Sequence, residues 1–217
     1  MSKRCIAILG GSFDPVHVGH VALARYFVDL LHPDELRILP AGNPWQKHGL
    51  QANSVHRLAM LKLAFDNFDA PVVFDQRELS GAQPTVTIDT LRSLREEVGS
   101  AVSLVFLMGA DQLQHLDTWQ HWQSLFDCAN LCAAARPGFV LAGPTIPSAV
   151  STEFARRAAT PEQICSTAFG RSLLAPDLSI DISATAIRAV LRQGHDPDSL
   201  VPPAVLDYIQ QHHLYKN

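Results

Sequence analysis

The stretch richest in chemistry is Gly10-Gly11-Ser12-Phe13-Asp14-Pro15-Val16-His17-Val18-Gly19-His20. It joins a double glycine to two histidines three residues apart. Small residues let a ligand approach the backbone, and N–H groups at the start of a helix favour an anion. Histidines at this spacing share one side of a helical turn, so both rings can donate to that anion. The residue types alone fit three roles: a phosphate cradle with imidazole donors, part of a metal site, or helix capping. The phosphate cradle uses every feature of the stretch. A metal site lacks a third ligand at a usual spacing nearby. Neither the Gly-x-Gly-x-x-Gly dinucleotide fingerprint nor the Gly-Lys-Ser/Thr of a P-loop is present.

Other residues carry weaker signals. Asp111 follows a strand and Gly109, a place where a carboxylate does polar work at a strand end. Ser183 is a good N-cap for the helix after it, and Thr87 is placed to cap another. Arg188 reads either as a ligand contact or as a solvated helix arginine. Trp119 reads either as a stacking platform or as a core aromatic, with Trp122 one helical turn on. No serine or cysteine pairs convincingly with a base, which points away from covalent catalysis. The adjacent His212 and His213 read as surface.

The elements that must hold these residues alternate. Apolar runs at 5–9, 35–40, 71–74, 102–108 and 129–135 read as strands, with one more inside 172–182. Helical periodicity covers 21–31, from a cap at Asn53 or Ser54 to about 68, a stretch from Thr87 to Val98, 118–126, 184–193 and 202–213. In the 53–68 helix the apolar set is Leu58, Leu61, Leu63 and Phe65. The region 138–171 is less regular and suggests two helices, near 148–158 and 160–168. The fold class expected is α/β: a Rossmann-like, doubly wound parallel sheet flanked by helices. One domain over 1–217 is expected, with 138–171 as a helical insertion and helices over 183–213 at the end. The loops at 10–20, 40–48, 109–111, 136–138 and 182–188 each follow a strand and should meet in one crevice.

The bulk properties narrow the class further. The chain has 217 residues, enough for one substantial core. Its net charge of −4 disfavours sequence-independent nucleic-acid binding, so any anion must be met by local positive charge. No apolar run is long enough for a membrane span, and no signal peptide is expected. The four cysteines form no Cys-x-x-Cys pair, and three lie among apolar residues. They read as buried thiols in a reducing compartment, which makes the cytoplasm the expected location.

The 10–20 stretch resembles the first signature of the His-x-x-His nucleotidyltransferase superfamily. Ile182-Ser183-Ala184-Thr185-Ala186-Ile187-Arg188 resembles its second, Ile-Ser-x-Thr-x-Ile-Arg. The likeness spans nearly the whole chain and is nearest to the nicotinate mononucleotide adenylyltransferases of bacteria. Pro84-Thr85-Val86-Thr87-Ile88-Asp89-Thr90-Leu91, Gly109-Ala110-Asp111-Gln112-Leu113, Thr118-Trp119 and Arg136-Pro137-Gly138 extend it. The resemblance implies adenylyl transfer from ATP to nicotinate mononucleotide in NAD biosynthesis, with Mg²⁺ accompanying ATP.

By that resemblance, Gly10, Gly11, Ser12 and Phe13 line the phosphates, and His17 and His20 stabilise the charge that develops on transfer. Ser183, Thr185 and Arg188 hold the triphosphate from the opposite side, and Asp111 meets ribose hydroxyls. Trp119 stacks on the pyridine ring while Thr87 helps hold its carboxylate. Lys47 and Arg136 complete the substrate contacts. One departure is visible: where the family has Pro-Pro-His-Lys or Pro-Pro-His-Arg, this chain reads Pro44-Trp45-Gln46-Lys47. The basic residue is kept, the imidazole is lost, and Trp45 becomes a candidate lid. Other acceptors, such as nicotinamide mononucleotide, and a non-catalytic nucleotide sensor are the competing readings.

Overall fold

Alternate residues of the first apolar run feed two separate cores. Cys5, Ala7 and Leu9 join one buried cluster, while Ile6 and Ile8 join the other. A strand that must bury both faces reads as a continuous apolar run, which is why it was legible. The computed structural model describes residues 4–42, 50–79, 85–135, 141, 143–175, 178 and 182–216.

Among the described residues six strands form one sheet: β1 (Cys5–Gly11), β2 (Glu35–Pro40), β3 (Val72–Phe74), β4 (Ser103–Gly109), β5 (Asn130–Ala134) and β6 (Ser172–Ala175). All five pairings are parallel and the order is β3-β2-β1-β4-β5-β6. The order reverses between β1 and β4, and ligands in such sheets sit outside the carboxyl ends at that switch point. Registers Gly11↔Pro40, Leu9↔Leu107 and Gly109↔Ala134 bring those ends to one level.

The helices are α1 (Val18–Leu31), α2 (Ser54–Ala64), α3 (Thr87–Val98), α4 (Ser148–Arg157), α5 (Pro161–Ser166), α6 (Ala184–Arg192) and α7 (Pro203–Gln211). One cluster draws on α1, α2, α5, α6 and α7, the other on α3 and α4. Among the described residues no helix is long and apolar enough to cross a membrane.

Several boundaries differ from the sequence reading. Helix α1 begins at Val18 rather than Val21, because His17 itself occupies the N-cap. The expected helix at 118–126 is two 3₁₀ helices, Ala110–Thr118 and Trp122–Asp127, separated by Trp119 in extended conformation. Helix α5 starts after Thr160, whose hydroxyl accepts the Gln163 N–H while Gln163 accepts the Thr160 N–H. That reciprocal cap fixes its start. The inner stripe of α2 is Arg57, Met60 and Leu61, while Leu63 of the apolar set is 37% exposed.

Candidate active site

The turn after β1 is shaped by close packing. A Cβ on Gly10 would come within 3.2 Å of the Phe106 ring, and one on Gly11 within 3.0 Å of the Phe13 ring. Phe13 has φ +48°, a left-handed conformation costly for a bulky residue, and its ring is fully buried. It folds back beneath Gly11 and meets the His20 ring edge-on at 4.9 Å. The peptide between Asp14 and Pro15 is cis.

His17 and His20 occupy the N-cap and third positions of α1. Their rings stack at 3.6 Å between centroids, 25° from parallel. The His17 backbone N–H donates to His20 Nδ1 at 3.2 Å. In a neutral ring this puts the His20 proton on Nε2, a donor. The two rings act as one unit at a helix N-terminus, where the backbone favours negative charge.

Beneath the turn lies a polar cluster that sequence reading did not assign. Asp14 is only 3% exposed. Its Oδ2 accepts the Gln51 N–H, and its Oδ1 accepts the Ala52 N–H and the Tyr215 hydroxyl, at 2.7–3.0 Å. Arg57, 1% exposed, donates Nη1 to the Ser12 carbonyl at 2.8 Å and Nη2 to the Gly42 carbonyl at 3.5 Å. Burial pulls the Arg57 guanidinium below its usual range, while the Asp14 charge opposes that pull. Arg57 therefore ties the loops that follow β1 and β2. One signal could have revealed it: Arg57, Met60 and Leu61 share the i, i+3, i+4 stripe of a core-facing helix.

Arg188 closes the opposite side. Its Nη1 donates to the Asp14 carbonyl at 2.7 Å and its Nη2 to Thr185 Oγ1 at 3.3 Å. Its Nε is buried without a hydrogen-bond partner among the described residues. The second signature is thereby docked onto the first. Ser183 sits at the N-cap of α6, yet its hydroxyl makes no capping bond and is exposed.

The other expected residues line the neighbouring strand ends. Asp111 is exposed at the start of the 3₁₀ helix after β4, accepting from Gln112. Trp119 is half-buried, its ring edge-on to Phe106 at 6.3 Å. Phe106 thus contacts Trp119 on one side and backs Gly10 on the other. Thr87 is the first residue of α3, with Val86 rather than Thr87 at the N-cap. A Cβ on Gly42 would lie 3.5 Å from Thr85, so the entry to α3 passes the end of β2. Lys47 and Arg136, with Trp45, Gln46, Pro137 and Gly138, lie outside the described residues. All four cysteines are free, and burial pushes the Cys128 and Cys132 thiols up, unlike activated nucleophiles. Among the described residues no group of three or more His, Cys, Asp or Glu could hold a metal ion.

Comparison with known proteins agrees with this geometry. A cytidylyltransferase-like family model matches residues 8–190. A relative from Herminiimonas arsenicoxydans, named "Probable nicotinate-nucleotide adenylyltransferase", is 62% identical over 99% of this chain and 98% of its own length. One of the same name from Laribacter hongkongensis is 46% identical over 100% of this chain and 97% of its own. A solved structure titled as Plasmodium falciparum nicotinic acid mononucleotide adenylyltransferase complexed with NaAD shares the fold. It has a TM-score of 0.74 at 20% identity, over 98% of this chain and 97% of that one. The stacked histidines at the sheet's switch point, and relatives of such identity over their full length, place the chain in the nicotinate-nucleotide adenylyltransferase family.

Proposed function

We propose that the turn from Gly10 to His20 is where this enzyme joins ATP to nicotinate mononucleotide, releasing nicotinate adenine dinucleotide and pyrophosphate. A phosphate oxygen of the mononucleotide attacks the α-phosphorus of ATP. The new P–O bond forms as the bond to the β-phosphate oxygen breaks, and pyrophosphate leaves with that electron pair. A phosphate monoester is already anionic, so the attack needs no general base. Catalysis is positioning plus stabilisation of charge, as in phosphoryl transfer generally.

His17 and His20 donate to the oxygens around the reacting phosphorus. The N–H groups at Gly10, Gly11, Ser12 and Phe13 line the phosphates on the same side. Ser183, Thr185 and Arg188 meet the triphosphate from the other side, and the exposed Ser183 hydroxyl supports that role. Asp111 takes a ribose, Trp119 the pyridine face, and Thr87 with the α3 N-terminus the nicotinate carboxylate. Lys47 and Arg136 supply further cations to the acceptor. Mg²⁺ would accompany ATP and offset the negative charge of its phosphates. The buried carboxylate of the turn, Asp14, is occupied by three hydrogen bonds, so the donor set suits an ion held by phosphates and water rather than by a protein cage.

The observation that carries this reading is the stacked His17–His20 pair on a glycine turn at the switch point. Pyrophosphate release from ATP tests it. Nicotinate mononucleotide is expected to drive release faster than nicotinamide mononucleotide, because donors at Thr87 and a helix N-terminus favour the anion. ATP binding without pyrophosphate release from either acceptor would refute it.

A further inference from the structure

The Tyr215 hydroxyl lies 2.7 Å from Asp14 Oδ1, across 201 positions of sequence. Asp14 sits within the turn, three residues before His17. We infer that Tyr215 is a positioning residue for adenylyl transfer: through Asp14 it holds the turn that carries His17 and His20. The inference rests on that turn being the transfer site.

Three observations converge on it. First, Asp14 is where separate parts of the chain meet the turn. Its carboxylate gathers the Gln51 and Ala52 N–H groups that lead into α2, together with Tyr215, and its carbonyl takes Arg188 from α6. Second, the backbone that delivers Tyr215 is strained. His213 has φ +51° and Tyr215 φ +63°, and neither is glycine. Such conformations persist only where the surroundings over-determine them, and they gather at functional sites. Third, Tyr215 is only 6% exposed, and burial, then the Asp14 charge, push its phenol far above the usual range. It stays a protonated donor under all ordinary conditions.

The segment before Tyr215 is anchored without that hydroxyl. Val205 and Ile209 of α7 are buried, and Tyr208 Oη lies 3.0 Å from His56 Nδ1 on α2. Removing the Tyr215 hydroxyl should leave α7 docked and free the Asp14 side of the turn.

The experiment is steady-state pyrophosphate release by the full chain from ATP and nicotinate mononucleotide, with thermal midpoints measured alongside. The variants are Tyr215→Phe, Asp14→Asn, the double variant, His20→Ala and, as a stability control away from the turn, Val205→Ala. Tyr215→Phe is expected to lower kcat by about tenfold or more, since misplacing reacting groups by an ångström costs up to about 10²-fold. Both KM values should stay within about threefold, and adding Tyr215→Phe to Asp14→Asn should cost nothing further. A kcat within twofold of wild type overturns the inference. So do losses that multiply with those of Asp14→Asn, or an equal loss in a Val205→Ala protein matched in thermal midpoint. If His20→Ala keeps full turnover, the transfer-site reading fails. If His20→Ala collapses while Tyr215→Phe does not, the positioning role alone fails.

Discussion

Arg57→Met is the sharpest test of how the site is built. Arg57 is a buried cation whose donors serve two loop carbonyls, at Ser12 and Gly42, and whose charge faces Asp14. Methionine keeps much of the volume and removes both donors and the charge. Breaking a buried charge pair costs about 3–5 kcal/mol. The lower end applies here, because Asp14 retains three hydrogen bonds of its own. About 3 kcal/mol in a chain of this size lowers the thermal midpoint by roughly 6–12 °C. It stays below a total stability of about 5–15 kcal/mol, so the protein should still fold. The Ser12 carbonyl then loses the Arg57 donor and the turn shifts, which should lower kcat by about tenfold to 10²-fold. Thermal unfolding and pyrophosphate release report the two effects, and Arg57→Lys should recover part of each, because a lysine keeps the charge but cannot fork to two carbonyls. A midpoint within about 2 °C of wild type in Arg57→Met, with unchanged turnover, would refute the reasoning.

His20→Ala should lower kcat by about 10²–10³-fold or more with little change in thermal midpoint, read by pyrophosphate release and thermal unfolding. Trp119→Ala should raise KM for nicotinate mononucleotide several-fold more than KM for ATP in the same assay. Stability should fall in acid: burial pushes Asp75 up, but its bonds and charge pairing with Arg77 and Arg37 hold it below its usual value. A depressed carboxylate stabilises the fold above its unfolded pKa of 3.8 and loses that contribution as pH falls through the lower folded value. Thermal midpoints from pH 5 to pH 2 should show this loss, and Asp75→Asn should flatten it. In base the sign reverses for Tyr215, whose raised phenol pKa costs stability once pH passes 10.0, where the unfolded phenol ionises. Tyr215→Phe should therefore lose less of its midpoint above that pH.

What could be read ahead of the structure followed from local rules. β1 and β4 are almost wholly apolar because both faces are covered, and the turn after β1 announces itself through glycine and histidine spacing. The residues that fix the turn were not visible, because their partners are distant: Tyr215 meets Asp14 across 201 positions, and Arg57 meets Ser12 across 45. No pattern in a short window encodes such a contact. The stretch 118–126 misled for another reason. Trp119, extended between two 3₁₀ helices, breaks what its composition suggests is a single helix. Ser183 shows a third kind of limit. Its type and place announce a cap, yet the hydroxyl makes no capping bond and the residue is exposed.

Phe106 gives the site a property that no single contact describes. The turn at Gly10 packs against this ring so closely that a methyl group there would stand 3.2 Å from it, and Trp119 meets the same ring edge-on. Both flanks of the proposed reaction centre are thus gauged from one rigid benzyl group on a central strand. The width of an aromatic ring does not vary with temperature or ligand. On the proposed roles, the phosphate turn and the pyridine platform at Trp119 thus both rest against one side chain of β4.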